Sequence, residues 1–194
     1  MKKLFIPAKS KTEIKQETIE KTAKKLPKNF ALVYSIQYMP LAEKLKKQLE
    51  DEYHKKITLF RQVLGCSNIK PSLTEDTQAI LLVGSGIFHA LELYHESKVP
   101  VYILEENNLK EIKKKDIEKF QKNKKASYMN FLNSERAGVI ITTKPGQKRF
   151  SRAIDLKKKI EQKFDKKAYL FISDEIDASE FENFPEIQAW VNTA

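Results

Sequence analysis

The chain has 194 residues, enough for one large domain or two small ones, and 41% of them are hydrophobic, enough to bury a core. Lys and Arg number 36 against 26 Asp and Glu, and the resulting +10 favours acidic partners. The lysines are nevertheless spread along helical stretches and mark no dedicated nucleic-acid site. A single cysteine, Cys66, excludes a disulfide framework within the chain and any multi-cysteine metal centre built by the chain alone. No run approaches the ~20 apolar residues of a membrane span. Leu4 to Ile6 gives way at once to Pro7, too short for a signal-peptide core, so the sequence reads as soluble, cytoplasmic and without a membrane partner.

In chain order, Ser10 with Glu13 three residues on has the capping-box pattern that opens a helix. Phe30-Ala-Leu-Val-Tyr34 reads as a strand, and Pro40 suits the first turn of the next helix, which carries Leu41, Leu45 and Leu49 at helical spacing. A short strand over 57–60 precedes Cys66. Ala79-Ile-Leu-Leu-Val83 then leads through Gly84-Ser-Gly86 into a helix over 88–95, followed by Val101-Tyr-Ile-Leu104. A long helix over 109–136 bridges two units, its start dividing 1–108 from 109–194. Beyond it lie Val139-Ile-Ile-Thr142, a helix over 148–164, Ala168-Tyr-Leu-Phe-Ile172 and a short apolar run over 189–191. Unbroken apolar runs of this kind belong to parallel strands covered on both faces. Their alternation with helices predicts an α/β fold: two Rossmann-like units with mostly parallel sheets flanked by helices.

In such sheets, function collects in loops at the carboxyl ends of strands. Gly84-Ser-Gly86 would let backbone amides approach an anion at a helix N-terminus; equally, it is a tight strand-to-helix turn, since His89 stands where a full G-x-G-x-x-G pattern needs glycine. His89 faces the same loop, although a lone histidine is more often a structural hydrogen-bonder. Thr143-Lys-Pro-Gly-Gln-Lys-Arg149 joins a Pro145-Gly146 turn to cations that suit a carboxylate or phosphate, with exposed lysines as the plain alternative. Asp174-Glu175 suits an ammonium or ribose, or else is the acidic flank of a short segment from Asp177. Cys66, after Gly65, is either a small hydrophobe or a soft ligand.

Taken together, Phe5-Ile-Pro-Ala-Lys-Ser10, Ser35-Ile-Gln37, Gln62-Val-Leu-Gly-Cys66, Leu82-Val-Gly-Ser-Gly-Ile-Phe-His-Ala-Leu91 and Val99-Pro-Val-Tyr102 resemble one family in order. Thr143 to Arg149, Asp174-Glu-Ile176 and Ala189-Trp-Val-Asn-Thr-Ala194 continue the match. The family is the diphthamide-synthesis enzyme, 2-(3-amino-3-carboxypropyl)histidine synthase. The resemblance implies three Rossmann-like units, each giving one cysteine to a central 4Fe–4S cluster. It also implies S-adenosylmethionine as cosubstrate, cleaved to a 3-amino-3-carboxypropyl radical that adds to a histidine of translation elongation factor 2. Cys66 looks like the middle unit's ligand. The implied cosubstrate-facing set is Gln37, Gly84, Ser85, Gly86, His89, Lys144, Gly146, Gln147, Arg149, Asp174 and Glu175.

Two departures qualify the resemblance. Met1 falls where the family's first unit should already have ended, and Asn192-Thr-Ala194 stops where the third unit's cysteine is expected. The expectation is a partial or split synthase: residues 1–108 as the middle-type unit, 109–194 as the third-type unit, and a further chain or subunit supplying the missing unit and cysteines. Such a chain would be inactive alone, and the family suggests a dimer. The alternative is a non-catalytic binding module for a nucleotide-like ligand, RNA or a protein partner.

Overall fold

The computed structural model describes residues 8–63, 69–144 and 149–193. These fall into two compact units, one ending at Phe120 and the other beginning at Gln121.

The first unit contains α1 (Gln16–Lys25), β1 (Asn29–Tyr34), α2 (Met39–Asp51), β2 (Lys56–Gln62), β3 (Ile80–Val83), α3 (Ile87–Ser97), β4 (Val101–Glu105) and β5 (Asn108–Glu111). Its sheet runs β2-β1-β3-β4-β5, with the first four strands parallel and β5 antiparallel to β4. The period-2 alternation of a strand decides which side chain goes where. Phe30, Leu32 and Tyr34 pack with Leu81 and Val83 against Ile19 of α1 and Leu41, Leu45 and Leu49 of α2. Ala31 and Val33 face the other way, with Ile80, Leu82 and Ile103, onto Ala90, Leu91 and Leu93 of α3. Both faces are therefore covered, which is why β1, β3 and β4 read as unbroken apolar runs.

The expected capping role of Ser10 is not found. Its hydroxyl accepts from the Thr12 N–H at 3.2 Å and donates to Thr12 Oγ1 at 3.0 Å, and α1 starts only at Gln16, with Lys15 as N-cap. Serine can satisfy the backbone of a turn as readily as that of a helix end, and here the turn wins. Asn107 anchors the start of α1 instead. Its Oδ1 accepts from Lys15 N at 2.7 Å and from Thr18 Oγ1 at 3.2 Å, while its Nδ2 donates to Glu13 O at 3.0 Å.

The long helix α4 (Lys114–Asn133) crosses the division between the units. It starts later than expected, because residues 108–111 form β5. The hairpin turn before β5 holds Glu106 in the left-handed region at φ 54°, and pairing with β4 outweighs the helical propensity of Leu109-Lys-Glu111.

The second unit contains β6 (Arg136–Thr142), α5 (Phe150–Phe164), β7 (Lys167–Ser173) and β8 (Ala189–Asn192) in an all-parallel sheet, ordered β7-β6-β8. Ala137, Val139 and Ile141 pack on Ala153 and Ile160 of α5. The opposite face is built from rings. Trp190 lies so close over Gly138 that a Cβ there would sit 2.5 Å from two of its ring carbons. Contrary to expectation, β7 is not covered on both faces: it is an edge strand, and Tyr169 stays 43% exposed. No described helix is long and apolar enough to cross a membrane.

Candidate functional site

In the first unit the carboxyl ends of β1, β2 and β3 lie at one edge of the sheet. The chain goes from β1 out to β2 on one side and then to β3 on the other. That reversal makes the β1–β3 gap a topological switch point, where a crevice opens between diverging loops. Ser35-Ile-Gln37 and Gly84-Ser-Gly86 form its two sides. Ser35 N donates to Val83 O at 3.2 Å, and Gly84 N donates to Leu104 O at 3.0 Å. A Cβ on Gly84 would come within 2.7 Å of Ser35 Oγ, so glycine is what lets the two loops close on each other.

Gly86 is the N-cap of α3 at φ 98°, a conformation that L side chains rarely adopt. Gly86 has no side chain with which to cap this helix, which suits its first amides to an anion. His89 sits half-buried in the first turn, with Nδ1 3.3 Å from the place of a Gly86 Cβ. Ser85 is exposed beside it. Gln37 occupies a short 3-10 turn; its side chain is exposed, and its carbonyl accepts from Ser10 N at 2.8 Å.

Cys66 lies outside the described residues, as do Pro145, Gly146, Gln147 and Lys148. Val63, directly after β2, donates its N–H to Tyr34 O at 2.9 Å at this same sheet edge. The sequence reading missed the apolar character of this edge. Ile36, Met39, Ile87 and Phe88 are exposed, Phe88 by 57%. Their signal was in plain view, since each lies within or directly beside a loop already singled out.

In the second unit the ends of β6 and β7 are locked together. Thr143 N donates to Ser173 O at 3.1 Å, and Thr143 Oγ1 donates to the Asp174 carboxylate. Thr142 Oγ1 accepts from Lys144 N at 3.2 Å. Lys144 Nζ stands 3.5 Å from Glu175 Oε1, an exposed pair that orients more than it stabilises. The two loops thus present a lysine and two carboxylates together, held by threonines that the sequence reading passed over. Arg149 is half-buried at the N-cap of α5. The acidic-flank role considered for Asp174-Glu175 falls to Asp177. Its carboxylate accepts from Ser179 N at 2.9 Å, and that backbone N–H holds it below the ordinary carboxylate pKa.

Helix-end amides and a lysine suit a carboxylate or phosphate; paired carboxylates suit an ammonium or a ribose. Among the described residues, no group of three or more His, Cys, Asp or Glu side chains is placed to hold a metal ion. The single thiol of Cys66 fits one thiolate position of an iron–sulfur cluster, so the remaining ligands of such a cluster would have to come from another chain or segment.

The family model described as "Putative diphthamide synthesis protein" matches residues 1–194. The 2-(3-amino-3-carboxypropyl)histidine synthase of Pyrococcus horikoshii is 26% identical over 201 residues, covering 98% of this chain and 57% of the relative. The crystal structure of Dph2 from Pyrococcus horikoshii superposes with TM-score 0.79 at 24% identity, over 96% of this chain and 56% of that one. The structure of Dph2 from the same organism with a 4Fe–4S cluster gives TM-score 0.76 at 25% identity, over 92% and 55%. The chain therefore spans little more than half the length of these relatives.

Proposed function

Because the chain belongs to the diphthamide synthesis protein family, we propose that it forms part of a synthase that moves a 3-amino-3-carboxypropyl group from S-adenosylmethionine to a histidine of translation elongation factor 2. The observation that carries this reading is the family match across residues 1–194, with the candidate loops of both units at strand carboxyl ends.

Cys66 would give one thiolate to a 4Fe–4S cluster, with the other ligands coming from a complementing chain or segment. When bound, such a cluster supplies the reducing electron for cleaving the sulfonium. This chain's own residues would bind and orient. The first amides of α3, set by Gly84 and Gly86, would take the cosubstrate's carboxylate. In the second unit, taken by itself, Asp174, fixed by Thr143, suits an ammonium or ribose hydroxyls, and Lys144 pairs with Glu175 on the same loop edge. His89 and Gln37 would add hydrogen-bond donors and acceptors in the first unit, and Arg149 would do so in the second. Exposed Ile36, Ile87 and Phe88 would exclude water once covered.

Anaerobic reconstitution with iron and sulfide tests the proposal, with the chain alone and with a chain carrying the missing cysteines. The expected result is a cluster absorbance near stoichiometry only in the mixture, lost in Cys66→Ala, together with calorimetric binding of S-adenosylmethionine that Asp174→Asn weakens. No cluster under either condition, or an unchanged cluster in Cys66→Ala, overturns it in favour of the binding-module reading.

A further inference from the structure

The face of β6 turned away from α5 carries a cavity that shares only Glu175 with the residues proposed for the transfer. Trp190 stacks on Phe181 with centroids 4.3 Å apart and planes at 14°, and it meets Phe171 edge-on at 4.6 Å. Phe184 closes on Phe171 at 4.8 Å and is itself 40% exposed. These rings and three acidic residues, Glu175, Asp177 and Glu180, line a cavity of about 330 Å³ together with aliphatic side chains that include Ile140 and Ile176. That lies at the bottom of the ~300–1,000 Å³ range of ligand pockets, a size for one long side chain rather than a whole nucleotide-bearing cosubstrate.

The charge around this cavity runs against that of the chain. The chain carries +10, yet none of residues 168–194 is Lys or Arg, while Asp174, Glu175, Asp177, Glu180, Glu182 and Glu186 lie among them. The hydrogen-bond partners of two of the lining carboxylates are neutral. Asp177 accepts from Ser179 N at 2.9 Å, and Glu180 accepts from Asn183 Nδ2 at 2.8 Å. Both carboxylates are exposed and neither of these bonds is to a cation, so both are open to a cation from outside the segment. Glu175 already has Lys144 at 3.5 Å and contributes less.

Aromatic walls with a carboxylate rim select a cation, because ring faces carry negative quadrupole density. They favour a guanidinium over an ammonium. Guanidinium is flat and weakly hydrated, stacks on rings, and pairs with carboxylates through a planar fork, whereas an ammonium keeps its water. We propose that this cavity takes an arginine side chain presented by a protein partner. Trp190 is the wall and not the seat, since it is already committed to Gly138 and Phe181. Phe184 and Phe181 supply the ring surface, with Asp177 and Glu180 closing the fork. The proposal involves neither Cys66 nor a cluster, so it stands or falls separately from the transfer reaction.

Trp190 is the sole tryptophan of the chain, and its emission reports this cavity without labelling. The test titrates the whole chain with a blocked Ala-Arg-Ala tripeptide, with the same peptide carrying citrulline, which is neutral and of nearly the same shape, and with S-adenosylmethionine. The arginine peptide is expected to give a saturable change at ~1 mM, weak as befits one side chain. That change should be several-fold weaker in high salt and absent with citrulline. Asp177→Asn, which keeps the cap, and Glu180→Gln, which keeps the Asn183 bond, should each weaken it roughly two- to five-fold. Far-UV circular dichroism confirms that both variants are folded. Equal binding of the citrulline peptide, unchanged binding in both variants, or no saturable response overturns the proposal. A response to S-adenosylmethionine but not to the arginine peptide also overturns it and gives the cavity to the cosubstrate.

Discussion

Replacing Gly138 with alanine isolates the contact on which the ring-lined face of the second unit rests. The added Cβ would meet Trp190 Cε3 and Cζ3 at 2.5 Å and Ile187 Cγ2 at 3.1 Å. Carbon atoms at rest sit ~3.5–4.0 Å apart, so the indole must retreat by about 1 Å. It cannot do so freely, because Phe181 lies 4.3 Å and Phe171 4.6 Å from its ring centre. The backbone adds nothing to the cost, since Gly138 has ordinary strand geometry in mid-β6. Overpacking of this kind costs about 1–3 kcal/mol, and in a chain of 194 residues each kcal/mol lowers the thermal midpoint by ~2–4 °C. Urea unfolding followed by Trp190 emission, checked by far-UV circular dichroism, measures it. The double variant Gly138→Ala/Trp190→Leu, followed by circular dichroism alone, should recover about 1 kcal/mol or more of the loss. A destabilisation under about 0.3 kcal/mol, or strict additivity in the double variant, would refute the steric reasoning.

Asn107→Ala should destabilise the first unit by about 2 kcal/mol, since it removes bonds to Lys15 N, Thr18 Oγ1 and Glu13 O at ~0.5–1.5 kcal/mol each, less some solvent compensation. A guanidinium denaturation midpoint that does not move would count against that role. Gly86→Ala should cost about 1–3 kcal/mol by forcing a side chain to φ 98° and should weaken S-adenosylmethionine binding in the reconstituted assembly; a neutral result would show that the loop relaxes. Asp76 holds a pKa below the ordinary value, chiefly through Lys56 Nζ at 2.6 Å and then Thr74 Oγ1 at 2.6 Å. Because its folded pKa is depressed, its stabilisation is complete above the unfolded value of ~3.9 and is lost as pH falls through the folded one. Asp76→Asn should flatten that acid limb of stability, and parallel acid titrations of the two proteins would expose the error if the limbs coincide.

The helix and strand alternation was legible because buried parallel strands leave unbroken apolar runs, and β1, β3 and β4 are covered on both faces. The same signature misled at β7. Tyr169, Leu170 and Phe171 look like core in one dimension, yet a three-stranded sheet leaves the outer strand half in solvent. Ser10 and β5 were misread for a different reason. Each has a helical signal that another pairing overrides: the Thr12 turn and Gln37 O for Ser10, and the hairpin with β4 for Asn108–Glu111. At the site, the glycine and charged loops stood out by composition, and the structure brings Lys144 to Glu175. Thr142 and Thr143 did not stand out, because a threonine ending a strand is ordinary until its partner, Asp174, is seen across the gap.

Asn107 ties Lys15 across 92 residues of chain, and this has a consequence for how the protein is made. At ~5–20 residues per second, a ribosome takes roughly 5 to 20 s to produce the asparagine after the lysine it must hold. β1 is made before both of its parallel neighbours, β2 next and β3 later still, and sits inside the finished sheet. Through that interval Phe30-Ala-Leu-Val-Tyr34 is an apolar strand with an open edge. Lys21, Lys24, Lys25 and Lys28 immediately precede it, like charges that oppose edge-to-edge pairing between copies of this stretch.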